Sequence, residues 1–123
     1  MTDVENFKNQ IEKIGPDNIA CILTTTSCFA PKAVDDIEAI GKLCSEYSIY
    51  HLVNNAYGLQ SSVCAERIDQ AAIKANSRVD FVVQSCDKNF LVPVGGAVIA
   101  SFDLEMINLA KNMYSGNDDA FNI

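Results

Sequence analysis

The chain has 123 residues, of which 49% are hydrophobic and 20% charged, and its formal net charge is -7. This length suits one domain with a single core, and the apolar content excludes an intrinsically disordered chain. An acidic surface repels phosphate backbones, so we expect that this segment does not bind nucleic acid on its own.

Neither membrane insertion nor secretion is expected from the sequence. No apolar run reaches the roughly 18 residues of a membrane-spanning helix, and residues 1–5 lack the basic and apolar parts of a secretory signal. The five cysteines are widely spaced, with no Cys-x-x-Cys pair and a single histidine, His51. A disulfide framework and a zinc site are therefore not expected. We interpret the cysteines as mostly buried small hydrophobes in a reducing cytoplasm.

Helices and strands alternate along the chain. Apolar residues at helical spacing predict a first helix that ends at Gly15-Pro16, and the wholly apolar run 19–23 predicts a strand covered on both faces. The remaining predicted elements are a polar loop over 24–31, a helix over 34–47, a strand over 49–53, a helix over 60–75, a strand over 80–84, a turn over 91–96, a strand over 97–102 and a helix that Asp103 caps and that ends near residue 114. An irregular tail over 115–123 is expected.

The predicted fold is one α/β domain over residues 1–123, with a mostly parallel sheet, one antiparallel strand and helices on the faces. The last strand is antiparallel because the segment 91–96 is too short for a helical crossover. Sites in such sheets lie at the carboxyl ends of the strands. Polar residues follow three of these ends, at 24–27, 54–55 and 85–88.

Lys88 is a candidate nucleophile because it follows an apolar strand directly. A lysine that forms a Schiff base must be neutral to attack an aldehyde, and burial or a nearby cation lowers its pKa from about 10.4. The alternative, a solvated loop lysine paired with Asp87, stays open and is the commoner arrangement.

Asn54, Tyr57 and Ser85 could complete a site for pyridoxal 5'-phosphate (PLP). The amide could face the pyridine nitrogen, the phenol could face the phenolic oxygen, and hydroxyls at Ser85 or 24–27 could hold a phosphate or a carboxylate. Each residue also suits a turn or a helix cap, and these alternatives stay open.

Other candidate motifs are weaker. Gly95-Gly96 leads into a strand rather than a helix, which excludes a dinucleotide-binding loop and indicates a tight turn. His51 lies within a strand pattern and is interpreted as a satisfied structural histidine. A nucleophile formed by His51 with Cys28 or Cys86 is only weakly supported.

Three stretches together resemble the O-phosphoseryl-tRNA(Sec) selenium transferase family. They are TTSCFAP at 25–31, HLVNNAYG at 51–58 followed by QSS at 60–62, and DKNF at 87–90 followed by VPVGGA at 92–97. The second stretch also resembles the Asp-x-Ala-Tyr/His-Gly element of fold-type I PLP enzymes, with Asn54 in place of the aspartate. The resemblance extends over about residues 4–116.

The resemblance implies part of the large domain of a fold-type I PLP enzyme. Lys88 would carry PLP covalently, Asn54 would face the pyridine nitrogen, and Tyr57 would lie near the phenolic oxygen. The implied reaction converts O-phosphoseryl-tRNA(Sec) to selenocysteinyl-tRNA(Sec) with selenophosphate, in a cytoplasmic homo-oligomer. A neutral Asn54 cannot hold a pyridinium as an aspartate would, so a milder electron sink is expected.

Departures from the family pattern suggest that this chain alone is inactive. Family members have several hundred residues, and their other segments are expected to supply the phosphate contacts, substrate-binding arginines and tRNA-binding elements. An arginine that the family carries near 113–116 is also absent from this sequence. Two alternatives stay open: another fold-type I PLP enzyme acting on sulfur or selenium amino acids, and a non-catalytic remnant that acts by association.

Overall fold

The computed structural model describes residues 2–27, 32–93 and 95–113, and these ranges form an α/β structure around a four-stranded sheet. In chain order the elements are α1 (Val4–Ile14), a 3-10 turn (Pro16–Asn18), β1 (Cys21–Thr25), α2 (Ile37–Glu46), β2 (Tyr50–Asn54), α3 (Ser62–Ile73), β3 (Phe81–Ser85), α4 (Cys86–Asn89), β4 (Ala97–Ala100) and α5 (Leu104–Met113).

The sheet has the strand order β1-β2-β3-β4. The first three strands are parallel, and β4 pairs antiparallel to β3. This arrangement confirms the predicted mostly parallel sheet with one antiparallel strand. The short helix α4 was not predicted, because its four residues are too few to show a helical period.

The core lies between one face of the sheet and the helices α1, α2 and α3. Side chains at alternate strand positions point into it, and the amino ends of α2 and α3 are capped by Asp36 and Ser61, which accept backbone N–H groups at 3.1 and 3.3 Å. Two clusters of buried residues form this core: Ile11, Ile22, Ile40, Leu43, Cys44 and Ile49; and Ile37, Val53, Ile68, Ala71 and Val79.

The opposite face of the sheet is largely open in the described part of the chain. The side chain of Leu23 is 53% exposed, whereas its neighbours Ile22 and Thr24 are buried. The prediction that the first strand is covered on both faces was therefore wrong. On the open face, α5 lies near the amino ends of the strands and, through Met106 and Leu109, lines an apolar cavity of about 300 Å³.

The parallel strands lie one or two residues further along the chain than predicted. The 3-10 turn after α1 delays β1, and the polar residues Thr25, Asn54 and Ser85 belong to the strand ladders instead of following them. The predicted tail at 115–123 and the loop residues 28–31 lie outside the described residues. Within the described ranges, no helix combines the length and the hydropathy that a membrane span requires.

Candidate functional site

The polar residues predicted at the strand ends meet at one edge of the sheet. Thr25 pairs with Asn54, and Asn54 pairs with Val83, so the ends of β1, β2 and β3 are in register. Ser85 ends β3 at the same edge. Val53 is fully buried against the helices, so Asn54, the next residue, faces the open side.

A buried chain of polar side chains links the three strand ends. The Thr26 hydroxyl donates to Asn55 Oδ1 at 2.7 Å, and Asn55 Nδ2 donates to Gln84 Oε1 at 3.3 Å. Gln84 Nε2 in turn donates to the Ala56 carbonyl at 3.0 Å. This network was not predicted, although a glutamine directly after the apolar run 81–83 is a sequence signal for it.

Gly58 allows the turn after β2 to pack directly against this network. A Cβ atom at position 58 would lie 2.0 Å from Asn55 Oδ1 and 2.6 Å from Thr26 Oγ1. Only a hydrogen fits there without displacing one of these buried atoms.

The orientation of the Asn54 amide is set by its own turn. Its Oδ1 accepts the backbone N–H of Ala56 at 3.1 Å, which an NH2 group could not do. The NH2 group therefore lies on the other side of the amide, where it has no hydrogen-bond partner among the described residues. Asn54 thus presents a hydrogen-bond donor to a ligand on the open face.

Lys88 lies in α4, directly after β3, and reaches the turn that carries Tyr57. Its Nζ atom is 5.9 Å from the centre of the Tyr57 ring and 2.5 Å from Asp87 Oδ2. The Ser85 hydroxyl donates to the other oxygen of Asp87. The structure therefore brings Lys88, Tyr57 and Ser85 together, with Asn54 on the adjoining strand.

The protonation of Lys88 differs from the expectation. The hydrogen bond with Asp87 raises the pKa of the Lys88 amine, and the Tyr57 hydroxyl adds to this effect. The Asp87 pKa is lowered by Lys88 and then by Ser85. The expected lowering of the Lys88 pKa is therefore not found, and Lys88 forms the pair with Asp87 that the sequence left open as the alternative. In this chain the amine is held as an ammonium ion, and it must lose a proton before it can attack an aldehyde.

His51 is a satisfied structural histidine, as predicted. It is fully buried, with Nδ1 2.6 Å from the Arg78 carbonyl and Nε2 2.9 Å from the Thr24 hydroxyl. A carbonyl can only accept, so Nδ1 carries the proton and Nε2 accepts from Thr24. Burial lowers the pKa of the ring, which keeps it neutral. Asp80 stabilises the position of His51: it accepts the His51 backbone N–H at 2.7 Å and pairs with Arg78, whose carbonyl contacts the ring.

The hydroxyls of Thr24 and Thr26 are occupied by these buried hydrogen bonds, so they do not serve as ligand donors. Both ring nitrogens of His51 are also engaged, which excludes a nucleophile built from His51 and a cysteine. Gly95 has a φ of 113°, which confirms the interpretation of Gly95-Gly96 as a tight turn.

The cysteines are less uniformly buried than expected. Cys44 and Cys64 are buried and Cys86 is half-buried, whereas Cys21 is exposed on the open face of the sheet. Cys28 lies outside the described residues. Within the described ranges, no three side chains of the metal-binding types cluster together.

Comparison with known proteins assigns this arrangement to a family. A sequence profile of O-phosphoseryl-tRNA(Sec) selenium transferase matches residues 1–122. The enzyme of that name from Caenorhabditis elegans is 52% identical over 94% of this chain and 24% of its own length. The Methanococcus maripaludis enzyme is 40% identical over 95% of this chain and 26% of its own. The chain thus spans about a quarter of the length of these relatives.

Solved structures agree with the sequence match. The archaeal O-phosphoseryl-tRNA(Sec) selenium transferase superposes with a TM-score of 0.76 and 41% identity, covering 86% of this chain and 24% of the other. Mouse CSAD in apo form superposes with a TM-score of 0.65 at 18% identity, covering 98% of this chain and 25% of the other, which shows a shared fold alone. Because the profile spans nearly the whole chain and the archaeal enzyme shares both its fold and two-fifths of its residues, this chain belongs to the O-phosphoseryl-tRNA(Sec) selenium transferase family.

Proposed function

We propose that the protein carrying this chain uses PLP and selenophosphate to convert O-phosphoseryl-tRNA(Sec) to selenocysteinyl-tRNA(Sec). The observation that carries the proposal is the position of Lys88 beside Tyr57, at the edge where Asn54 presents its amide. The family's role in the synthesis of selenocysteinyl-tRNA supports it, as do the relatives that cover nearly all of this chain.

The residues at this edge fit the ring of PLP in their chemistry. A primary amine at Lys88 suits the aldehyde, the donor of Asn54 suits the pyridine nitrogen, and the Tyr57 hydroxyl suits the phenolic oxygen. The fit at the phosphate is poorer, because the Ser85 hydroxyl donates to Asp87. We infer that the phosphate contacts come mainly from other parts of the protein.

In this proposal the bound cofactor supplies an electron sink for loss of phosphate from the seryl group. The residues of this chain bind and orient it. Asn54 donates to the pyridine nitrogen, and since an amide carries no charge it does not stabilise a proton there. Tyr57 holds the ring at its phenolic oxygen. The side chain of Lys88 is 35% exposed, so its proton can leave to solvent when the pair with Asp87 opens.

We further propose that residues 1–123 form part of one large domain and that this segment alone does not complete the reaction. Its acidic charge is unsuited to tRNA, so basic surface would come from elsewhere in a cytoplasmic homo-oligomer. Of the alternatives raised by the sequence, another PLP enzyme acting on sulfur or selenium amino acids has less support, because the relatives that cover this chain carry the name of the selenium transferase.

The proposal is tested by assaying selenocysteinyl-tRNA(Sec) formation from O-phosphoseryl-tRNA(Sec) and selenophosphate in the intact protein. We expect Lys88→Ala to abolish product, whereas Lys74→Ala, which removes a surface ion pair with Glu38, leaves it. Equal activity in the Lys88→Ala variant and the wild type would refute the assignment of Lys88. Formation of cysteinyl-tRNA from a sulfur donor, with no selenocysteinyl-tRNA formed from selenophosphate, would refute the selenium chemistry.

A second candidate, a non-catalytic role by association, is favoured by the open face of the sheet. Leu23 and Ile99 are 53% and 55% exposed there, and apolar surface of this kind marks an interaction site. Sedimentation of the chain mixed with the full-length enzyme tests this role. A mixed assembly would favour association, and separate sedimentation of the two would refute it.

A further inference from the structure

The carbonyl oxygen of Ala56 accepts hydrogen bonds from side chains of two different elements. Gln84 Nε2, near the end of β3, donates to it at 3.0 Å, and Asn89 Nδ2, at the end of α4, donates at 2.8 Å. A carbonyl oxygen has two lone pairs, so both bonds form together. Because Ala56 directly precedes Tyr57, this oxygen joins the Tyr57 turn to the sheet and to the helix that carries Lys88.

The two donors have different roles because only Asn89 belongs to α4. Gln84 is buried and also bonds to the Ser85 carbonyl and to Asn55, so it stays in place without α4. A single helical turn has little stability of its own. The next residue, Phe90, is 51% exposed and therefore buries little surface. The carboxyl end of α4 therefore depends on the Asn89 amide for its position.

We propose that Asn89 is a positioning residue, whose hydrogen bond to the Ala56 carbonyl holds the Lys88 amine over the Tyr57 ring. Lys88 directly precedes Asn89. Release of Asn89 therefore lets α4 unwind at its carboxyl end and carries the Lys88 amine away from the Tyr57 ring. The bond between Lys88 and Asp87 does not replace this link, because Asp87 is joined through Ser85 to the end of β3 and fixes only the amino end of α4. The effect of this hydrogen bond on catalysis depends on the proposed function, whereas its effect on the position of the amine does not.

The first test measures the position of the amine without any cofactor. Lysine amines are reductively methylated with ¹³C, and the Lys88 signal is assigned by its loss in Lys88→Arg. The Tyr57→Ala variant gives the shift expected when the aromatic ring is absent. We expect Asn89→Ala to move the Lys88 signal most of the way to that value. Asn89→Gln, which keeps a donor, should stay nearer to the wild type.

A matched control separates positioning from loss of stability. Ile68→Val removes a methyl group from a core cluster that contains no residue of α4, and it lowers stability without removing the Asn89 bond. We expect the Lys88 signal of this variant to match the wild type. If Asn89→Ala leaves the signal unchanged, or if Ile68→Val moves it as far, the positioning role is overturned. Should Asn89→Ala fail to fold, Asn89→Asp, which has the same size but no donor, replaces it.

The second test uses PLP itself, with borohydride trapping on Lys88 as the readout. The loss of one hydrogen bond should weaken capture about three- to tenfold in Asn89→Ala, with partial recovery in Asn89→Gln. Capture equal to the wild type would overturn the inference. If the wild type itself captures no PLP, the proposed function fails, and the methylation experiment still decides whether Asn89 positions the amine.

Discussion

The substitution Gly58→Ala tests whether the buried polar chain at the strand ends determines the local structure. Gly58 does not have a positive φ, so alanine is allowed by the backbone. In an open position this change would stabilise the protein by about 0.4–1 kcal/mol, because it reduces the freedom of the unfolded chain. The structure predicts the opposite sign, since the new Cβ would lie 2.0 Å from Asn55 Oδ1.

The expected loss of stability depends on which atoms the new Cβ would displace. Asn55 is 5% exposed, and its Oδ1 is held by Thr26 at 2.7 Å, so the clash is relieved only by breaking that bond or by shifting the turn. Overpacking of this kind costs about 1–3 kcal/mol, and a buried group left unpaired costs a similar amount. We therefore expect Gly58→Ala to lower the free energy of unfolding by about 2–4 kcal/mol.

Urea unfolding followed by circular dichroism measures this change, and a double-mutant cycle assigns its cause. Asn55→Ala removes the nearer clash, so the double variant should be less destabilised than the sum of the single variants by about 1 kcal/mol or more. A neutral or stabilising effect of Gly58→Ala, or strict additivity with Asn55→Ala, would show that Gly58 is not constrained by the buried polar chain.

Three further predictions concern titration and reactivity. Burial lowers the pKa of His51 in the folded state. The stabilising contribution of the neutral ring is therefore present above the unfolded pKa of about 6.5 and is lost as the pH falls below that value. The free energy of unfolding should fall there by up to about 1.4 kcal/mol per pH unit. Unfolding at pH 8 to 5 should show this slope, and His51→Gln should flatten it. Asp87→Asn should lower the pKa of Lys88, measured by the pH dependence of its acetylation, with Asp17→Asn as the control and an unchanged profile as the contradicting result. Burial raises the pKa of Cys44 to about 12, so iodoacetamide should label Cys21 in the folded chain and Cys44 only on unfolding; early labelling of Cys44 would contradict its burial.

The fold was largely predictable from the sequence because it depends on local patterns, such as the spacing of apolar residues and the length of the connections. Apolar spacing located α1 and α2, and the shortness of the last connection indicated the antiparallel β4. The coverage of β1 was not predictable in this way. The run 19–23 is apolar throughout, and such a run has the same appearance whether helices cover both faces or one. Only the packing shows that Leu23 faces the open side.

The site was predictable in its residues but not in its connections. The polar strand ends and the parallel topology indicated that Asn54 and Lys88 would lie at one edge. The link through Asn89 and the Ala56 carbonyl depends on α4, which is too short to leave a pattern. The pair with Asp87 that raises the pKa of Lys88 was one of two arrangements that the sequence left open, because sequence alone does not decide whether the Asp87 side chain turns to Lys88 or to solvent.

Mixing the purified protein with PLP and adding borohydride tests whether Lys88 is the residue that holds PLP. We expect a visible absorption band that borohydride removes, with the cofactor's mass retained on the peptide that contains Lys88. Lys88→Ala should lose both signals. A band of equal strength in Lys88→Ala, or a label on another lysine, would show that Lys88 does not hold the cofactor.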